Sequence, residues 1–340
     1  MKYPPLRTVL VGLGKVGLGY AADARMARYY PYATHAQVLS AHPAFAWEAV
    51  IERDAALLPL AQQHWHIPYA VTEAAALHPQ YAPQVAVLAT PPAGRLALLA
   101  QLPSVRAVLV EKPLGNSVRE AREFLDYCHS RGILVQVNLW RRADRTLRRL
   151  ASGWLHSLLG PAQALFGVYG NGLRNNGTHM VDLIRMLYGD VAEARALAAG
   201  QVAGSGPLPD DLQVPFVLYL HSGLSVAMQP IHFAHYRENS LEIWGQRARL
   251  CLLQEGLQLL LYPRESHRAM QDEYEIAVDQ PQALPSTVGD AFYQMYDNLA
   301  EAVHTGAPLW SPGASALQTA QVIETIYRSA QCYPRNERVA

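Results

Sequence analysis

The sequence predicts an α/β protein, with a doubly wound parallel sheet in its first part and a second α+β domain built on a large, mainly antiparallel open sheet. Three observations predict it. Residues 7 to about 138 alternate short, continuously apolar runs with helical stretches. A glycine run, Gly12-Leu13-Gly14-Lys15-Val16-Gly17, directly follows the first apolar run. Beyond about residue 150 the rhythm changes to apolar runs separated by glycine-bearing turns.

Each element has its own signal. Strands are expected at Thr8–Val11, Trp47–Ile51, Gln84–Ala89, Ala107–Val110 and Ile133–Val137, unbroken apolar runs that suit strands covered on both faces. Helices are expected at Thr34–Ala41 and Ala55–His64, and after Ser117. Ser117-Val118-Arg119-Glu120 has the capping-box pattern, and Gly132 is a suitable stop. In the second part a helix is expected near Asn176–Leu187. Strands follow at Val214–Leu220, Leu224–Met228, Leu241–Trp244, Arg249–Leu253 and Leu257–Tyr262, with hairpin turns at Ser222-Gly223 and Glu255-Gly256. Residues 204–209 read as a loop. The tail from Gly289 to about Ala330 reads as two helices split by Gly306-Ala307-Pro308 and Ser311-Pro312-Gly313. The expected domains are 1–140 and 141–340, with the helices of 289–330 packing back on the first.

Bulk properties exclude several classes. A chain of 340 residues, 50% of them apolar, suits two domains with separate cores. Lysine plus arginine balances aspartate plus glutamate at 28 each, which gives no electrostatic case for nucleic acid or an anionic membrane. No apolar run is long enough to span a bilayer. The N-terminus leads straight into a strand without a signal-peptide pattern. Cys128, Cys251 and Cys332 are odd in number and far apart, neither a disulfide framework nor a zinc pattern. A reducing cytoplasm is the expected compartment, and no metal site is expected.

The glycine run in this context points to a dinucleotide site. Gly12 suits a tight turn, Gly14 lets backbone approach a pyrophosphate, and Gly17 permits close packing, while Lys15 and Val16 lie within the loop. The helix start that follows would offer free amides and a positive dipole end. Glu52, at the end of the second strand, is placed to accept from both ribose hydroxyls, which favours NAD. The neighbouring Arg53 is suited to a 2′-phosphate, so NADP is the alternative.

Two constellations carry the chemistry. Thr90-Pro91 ends one strand, and Glu111-Lys112-Pro113 ends the next, at the carboxyl edge where open parallel sheets bind ligands. Lys112 there can hydrogen-bond a substrate hydroxyl and help move its proton. The second constellation is Asn175-Asn176-Gly177-Thr178-His179-Met180-Val181-Asp182-Leu183. In a helix starting near Thr178, His179 and Asp182 share one face, with Asn175 a turn earlier. His179 is the second acid–base candidate, and Asp182 is read as a support for it or for the helix. Arg174 suits a carboxylate or diphosphate. Arg141 and Arg142 follow a sheet-edge strand and are placed to reach a cleft, whereas Arg145, Arg148 and Arg149 read as a solvated face. His232, His235 and Tyr236 are weaker candidates for a pocket lining.

These motifs resemble the Gfo/Idh/MocA oxidoreductases. The resemblance rests on Gly12-x-Gly14-x-x-Gly17, Glu52, Thr90-Pro91, Glu111-Lys112-Pro113 and Gly177-x-His179-x-x-Asp182-Leu183, and covers almost the whole chain. It implies a Rossmann domain followed by an α/β domain whose open sheet mediates homodimers or homotetramers. It also implies NAD(P)-dependent oxidation or reduction of a sugar, nucleotide sugar or cyclitol carbon, with Lys112 and His179 beside the substrate. Two other readings stay open within that resemblance, a non-catalytic nucleotide-binding regulator and an NAD-dependent glycosidase. There are two departures. Asn175 stands where the family usually has an aspartate, and asparagine cannot act as a base. An insertion of about fifteen residues spans roughly Leu18 to Ala33 and carries Tyr20, Arg25, Arg28, Tyr29, Tyr30 and Tyr32. It is either a cap over the site or a surface excursion.

Overall fold

The computed structural model describes residues 3–78, 80–204, 206–276 and 280–334. The chain divides into two compact units, Met1–Ala143 with Gly289–Gln318, and Asp144–Val288 with Thr319–Ala340.

The first unit is built on six parallel strands, β1 (Leu6–Val11), β2 (Phe45–Ile51), β3 (Tyr69–Val71), β4 (Val85–Leu88), β5 (Ala107–Val110) and β6 (Leu134–Val137). Their order, β3-β2-β1-β4-β5-β6, is the doubly wound arrangement, whose order reverses between β1 and β4. The expected strands are present within two residues at either end. β3 is additional; three half-buried residues are too few to show a period. Every residue of β4 and β5 is buried, because helices cover both faces. One face packs Leu10, Val50, Val87 and Leu109 against Phe292, Met295, Tyr296 and Leu299 of the helix Ala291–Thr305. The other packs Val9, Val11, Leu88 and Val110 against Leu99, Phe124 and Cys128.

Local chemistry sets the helix starts. Thr34 accepts from the Gln37 amide at 3.2 Å while Gln37 Oε1 accepts from the Thr34 amide at 3.1 Å, a closed capping box for His35–Ala41. The box expected at Ser117 is only half formed. Ser117 accepts from Glu120 N at 3.2 Å, but the Glu120 carboxylate accepts from Asn116 N at 2.8 Å instead of Ser117 N. The stretch expected as one helix from Ala55 is a 3-10 turn, Ala55–Leu57, continued by the helix Leu58–Trp65.

The helix after the glycine loop is split. Leu18 N donates to Gly14 O at 2.9 Å, closing one turn. The ladder then resumes across a gap, with His35 N donating to Val16 O and Ala36 N to Gly17 O, both at 3.0 Å. His35 lies 19 positions beyond Val16 where a helix needs four, so about 15 residues are looped out of an otherwise continuous helix.

The second unit is built on eight strands. Their order is Gln282–Leu284, Gln258–Pro263, Ala248–Leu253, Ser240–Gly245, Ala162–Tyr169, Ser225–Pro230, Phe216–Leu220 and Val191–Ala196. All neighbours are antiparallel except Ala162–Tyr169 with Ser225–Pro230. One face carries Leu165, Leu218, Val226, Ile243 and Leu250 into a core with Met180, Val181, Ile184, Ile323 and Ile326. Both expected hairpin turns occur, with Gly223 at φ +86° and Gly256 at φ +101°. Of the loop at 204–209, Ser205 lies outside the described residues.

Candidate functional site

The glycine loop leaves β1 through Gly12, whose φ is +93°. A Cβ on Gly12 would meet Ala89 O and Thr90 Cγ2 at 2.9 Å, and one on Gly17 would meet Gly12 O at 2.3 Å, so neither position admits a side chain. A Cβ on Gly14 would meet nothing within 4 Å, so the loop is open on that side. The amides of Gly14, Lys15, Val16 and Gly17 find no protein acceptor among the described residues. Four successive open amides at a helix start form a ready anion cradle.

Beside the loop is a cavity of about 600 Å³, lined by Gly12, Gly14, Glu52, Arg53, Thr90 and Arg95 among others. That is within the usual range for small-molecule sites. Glu52 is half-buried and accepts from Leu13 N at 2.5 Å and Asp54 N at 2.9 Å, which leaves further lone pairs on its carboxylate. Arg53 is exposed at the rim, with its guanidinium toward Gly94. Cradle, cavity and ribose-length carboxylate together fit a dinucleotide.

Farther along the same edge, Thr90 and Lys112 are half-buried and Pro91 is exposed. The Lys112–Pro113 bond is cis. A residue the sequence reading passed over, Arg95, ties these two strand ends together. It is 2% exposed, and its guanidinium donates to Pro113 O at 2.8 Å and to Thr90 O. Burial lowers its pKa to about 10, so it remains a cation at neutral pH. A second buried group fixes Glu111. His35 Nε2 meets Glu111 Oε1 at 3.0 Å, His35 Nδ1 meets Tyr296 Oη at 2.6 Å, and Asn138 Nδ2 donates to Glu111 Oε1 at 2.5 Å. Burial alone would raise the Glu111 pKa. The bond and charge of His35, the bond from Asn138 and the charge of Lys112 outweigh it, and hold the carboxyl below its ordinary value. Asn138 Oδ1 is buried with no donor among the described residues.

In the second unit the helix Thr178–Tyr188 is preceded by a wide π turn, Leu173–Gly177. Asp211 holds that turn. Its carboxylate accepts from Asn175 N at 3.0 Å, from Leu212 N at 2.9 Å and from the Tyr327 hydroxyl. Burial raises its pKa against the pull of those bonds. Gly172 is required here, because a Cβ would lie 2.2 Å from Asp211 Oδ2. Arg174 is exposed and stacks on the Tyr327 ring at 4.5 Å, Asn175 is 8% exposed, and His179 is half-buried. Asp182 was expected among the substrate contacts or as a support. It is 2% exposed and accepts from Thr319 Oγ1 at 3.1 Å. Arg142 lies half-buried in the 3-10 turn Trp140–Ala143, and Arg141 stacks on Trp140 at 4.4 Å. His232, His235 and Tyr236 are exposed. No group of three or more potential metal ligands occurs among the described residues. No helix among them is long and apolar enough to cross a membrane.

The doubly wound sheet with its open phosphate cradle, joined in one chain to a second unit on a mainly antiparallel sheet, and the matches of both parts to oxidoreductase family models, define a two-part NAD-binding oxidoreductase. The chain belongs to the Gfo/Idh/MocA oxidoreductase family. Residues 6–139 match the family's NAD-binding Rossmann fold, and residues 170–332 match its C-terminal alpha/beta domain. Trans-1,2-dihydrobenzene-1,2-diol dehydrogenase of Oryctolagus cuniculus is 30% identical over 126 residues, 32% of this chain and 38% of the rabbit enzyme. The Mus musculus enzyme of the same name is 27% identical over 140 residues, 36% of this chain and 42% of the mouse enzyme. The matched stretches thus span well under half of those relatives. An oxidoreductase from Agrobacterium radiobacter, solved with NAD+, L-tartaric acid and magnesium, superposes with a TM-score of 0.71 at 18% identity, covering 96% of both chains. The WlbA dehydrogenase of Bordetella pertussis, solved with NADH and UDP-GlcNAcA, gives 0.69 at 17% identity over 96% of this chain and 97% of that one. At such identities the superpositions show the fold.

Proposed function

We propose that the protein is an NAD(P)-dependent dehydrogenase that oxidises, or in reverse reduces, a hydroxyl-bearing carbon of a sugar, nucleotide sugar or cyclitol. The observation that carries this reading is the row of open amides from Gly14 to Gly17, on the same sheet edge as Lys112. The names of the relatives support the substrate class, since a diol, tartaric acid and a nucleotide sugar all present hydroxyl-bearing carbons.

In this reading the glycine-loop amides hold the pyrophosphate, and Glu52 accepts from the adenosine ribose. Thr90, Pro91 and Glu111 border the other end of the cofactor. When bound, the nicotinamide supplies the hydride-accepting ring. Lys112, as the free amine when the cationic nicotinamide is bound beside it, hydrogen-bonds the reacting hydroxyl and takes its proton, and Arg95 and the His35–Glu111 pair hold the backbone that carries it. His179 shares the acid–base work. Arg174, Asn175 and Arg142 orient the substrate, with Asn175 donating or accepting hydrogen bonds but moving no proton. NAD is the preferred cofactor because a 2′-phosphate would meet the Glu52 carboxylate, with Arg53 as the opposing influence.

The test is cofactor reduction across a panel of polyols and nucleotide sugars, run with wild type and Lys112→Ala. Wild type should reduce NAD with at least one of them. Lys112→Ala should lose on the order of a hundredfold or more of turnover, the usual worth of a positioned acid–base group, with NADH affinity retained. Product formation without net nicotinamide reduction would favour transient use of NAD. Tight NAD binding without any turnover would favour a nucleotide-binding regulator.

A further inference from the structure

We infer that residues 19–33 form a strap that retains the dinucleotide in its site and slows its release between turnovers. The inference rests on the NAD reading above. The strap is rooted in the phosphate cradle itself. Leu18 N and Gly19 N both donate to Gly14 O, at 2.9 and 3.1 Å, and Tyr20 N donates to Lys15 O at 2.9 Å. A displacement of the strap's root therefore pulls on Gly14 and Lys15, two of the four residues whose amides stand open for phosphate.

The far end is docked. Tyr30 meets the Trp140 ring edge-on at 6.1 Å, in the turn that follows β6. Tyr32 packs on Tyr293 at 4.8 Å. The Tyr29 carbonyl approaches Gly289 so closely that a Cβ there would lie 2.3 Å from it. In the sheet, β4 and β5 stand between β1 and β6, and they end at Thr90-Pro91 and Glu111-Lys112. A segment rooted after β1 and docked after β6 runs along the edge where those residues stand.

Between its anchors the strap is folded. It forms two 3-10 turns, Gly19–Ala22 and Met26–Arg28, and Asp23 Oδ1 accepts from Arg25 N at 2.9 Å and Met26 N at 3.0 Å. Arg25 and Arg28 are exposed, and neither has an ion-pair partner among the described residues. With Asp23 counted, the strap carries a net charge of +1 on a segment bonded to the phosphate cradle. A surface excursion would need none of these features: neither bonds back to the cradle nor a docked far end.

The hydrogen-bond register specifies the test. Deleting Gly19–Ala33 puts His35 four positions after Val16 and Ala36 four after Gly17, which turns the interrupted ladder into a continuous helix. NADH is bound to the protein, and its release is followed by nicotinamide fluorescence during a chase with excess NAD. The deletion should leave a cooperatively unfolding protein that releases NADH about tenfold faster or more, equivalent to about 1.4 kcal/mol of lost retention. Gly289→Ala, which leaves the strap intact but unseats its Tyr29 anchor, should speed release in the same direction. Should the deletion fail to fold, Gly289→Ala and Tyr30→Ala carry the test. Unchanged release in every folded variant overturns the strap while leaving the NAD reading in place. A wild type that binds no NADH at all overturns both.

Discussion

At Glu111 the structure puts a carboxylate where burial opposes its charge, and then supplies enough donors to keep it ionised. That has a pH consequence. Because the folded protein holds Glu111 below its ordinary pKa, the unfolded chain binds more protons in that window, and stability rises with pH through it. The contribution is complete above the ordinary glutamate range and is lost as the pH falls through the folded value. Glu111→Gln should therefore cost about 2 kcal/mol at neutral pH, the scale of a charge-assisted hydrogen bond. The difference from wild type should shrink on acidification. Denaturant midpoints at several pH values would show it, and a pH-independent gap would contradict the assignment. At this scale the sequence is legible where a residue type announces its backbone neighbourhood. Gly12 and Gly17 are excluded from bearing side chains, and Lys112 stands at a strand end. It is silent where a role depends on distant partners. Arg95 bonds Pro113, 18 positions away, and Asp211 holds Asn175 from 36 positions away, so neither has a local signature.

Among the elements, the central strand of the second sheet, Ala162–Tyr169, escaped the sequence reading although it pairs on both sides. Its outward and inward residues alternate from Ala164 to Tyr169, but the outward Ala164, Phe166 and Val168 are apolar, so the sequence shows no polar–apolar alternation, and it contains Gly167, a weak strand former. That glycine is demanded by packing, since a Cβ would lie 2.7 Å from Ser240 O and 2.8 Å from Met228 Sδ. Continuous apolar strands such as β4 and β5 were legible because burial on both faces writes itself into every position. Val191–Ala196, at one edge of the sheet, carries Glu193 and Arg195 on an exposed face and resembles a loop in composition. The end of Ala162–Tyr169 also carries a testable polar link. Tyr169 is fully buried, donates to Val214 O at 2.6 Å and accepts from Val214 N at 2.9 Å. Tyr169→Phe should leave both backbone groups unpaired and cost about 1–3 kcal/mol in equilibrium unfolding, with NADH affinity unchanged. A neutral effect on stability would mean that the two groups find other partners.

For the whole molecule, composition bounded the architecture well, because a half-apolar chain of 340 residues has two cores to build. The exact partition was less legible. Gly289–Gln318 belongs to the first unit and Thr319 onward to the second, a division within one helix, Gly313–Gln331, that no composition shift marks. The second sheet also presents an outer face with Phe166 42% and Tyr219 39% exposed, beside half-buried Val168, Trp244 and Leu260. An antiparallel sheet usually buries one face, and apolar residues gathered on the other mark a contact surface. We propose that a second copy of the chain covers it, as a homodimer or homotetramer. Light scattering should then find wild type associated at micromolar concentration and Phe166→Glu dissociated toward monomer; a monomeric wild type would contradict the proposal.

The most direct measurement for the central claim is a paired one on Lys112→Ala, the single-turnover rate of nicotinamide reduction with an active polyol and the equilibrium affinity for NADH. The expected result is a collapse of the rate with the affinity intact. A variant that reduces the cofactor as fast as wild type would remove Lys112 from the chemistry and with it the mechanism.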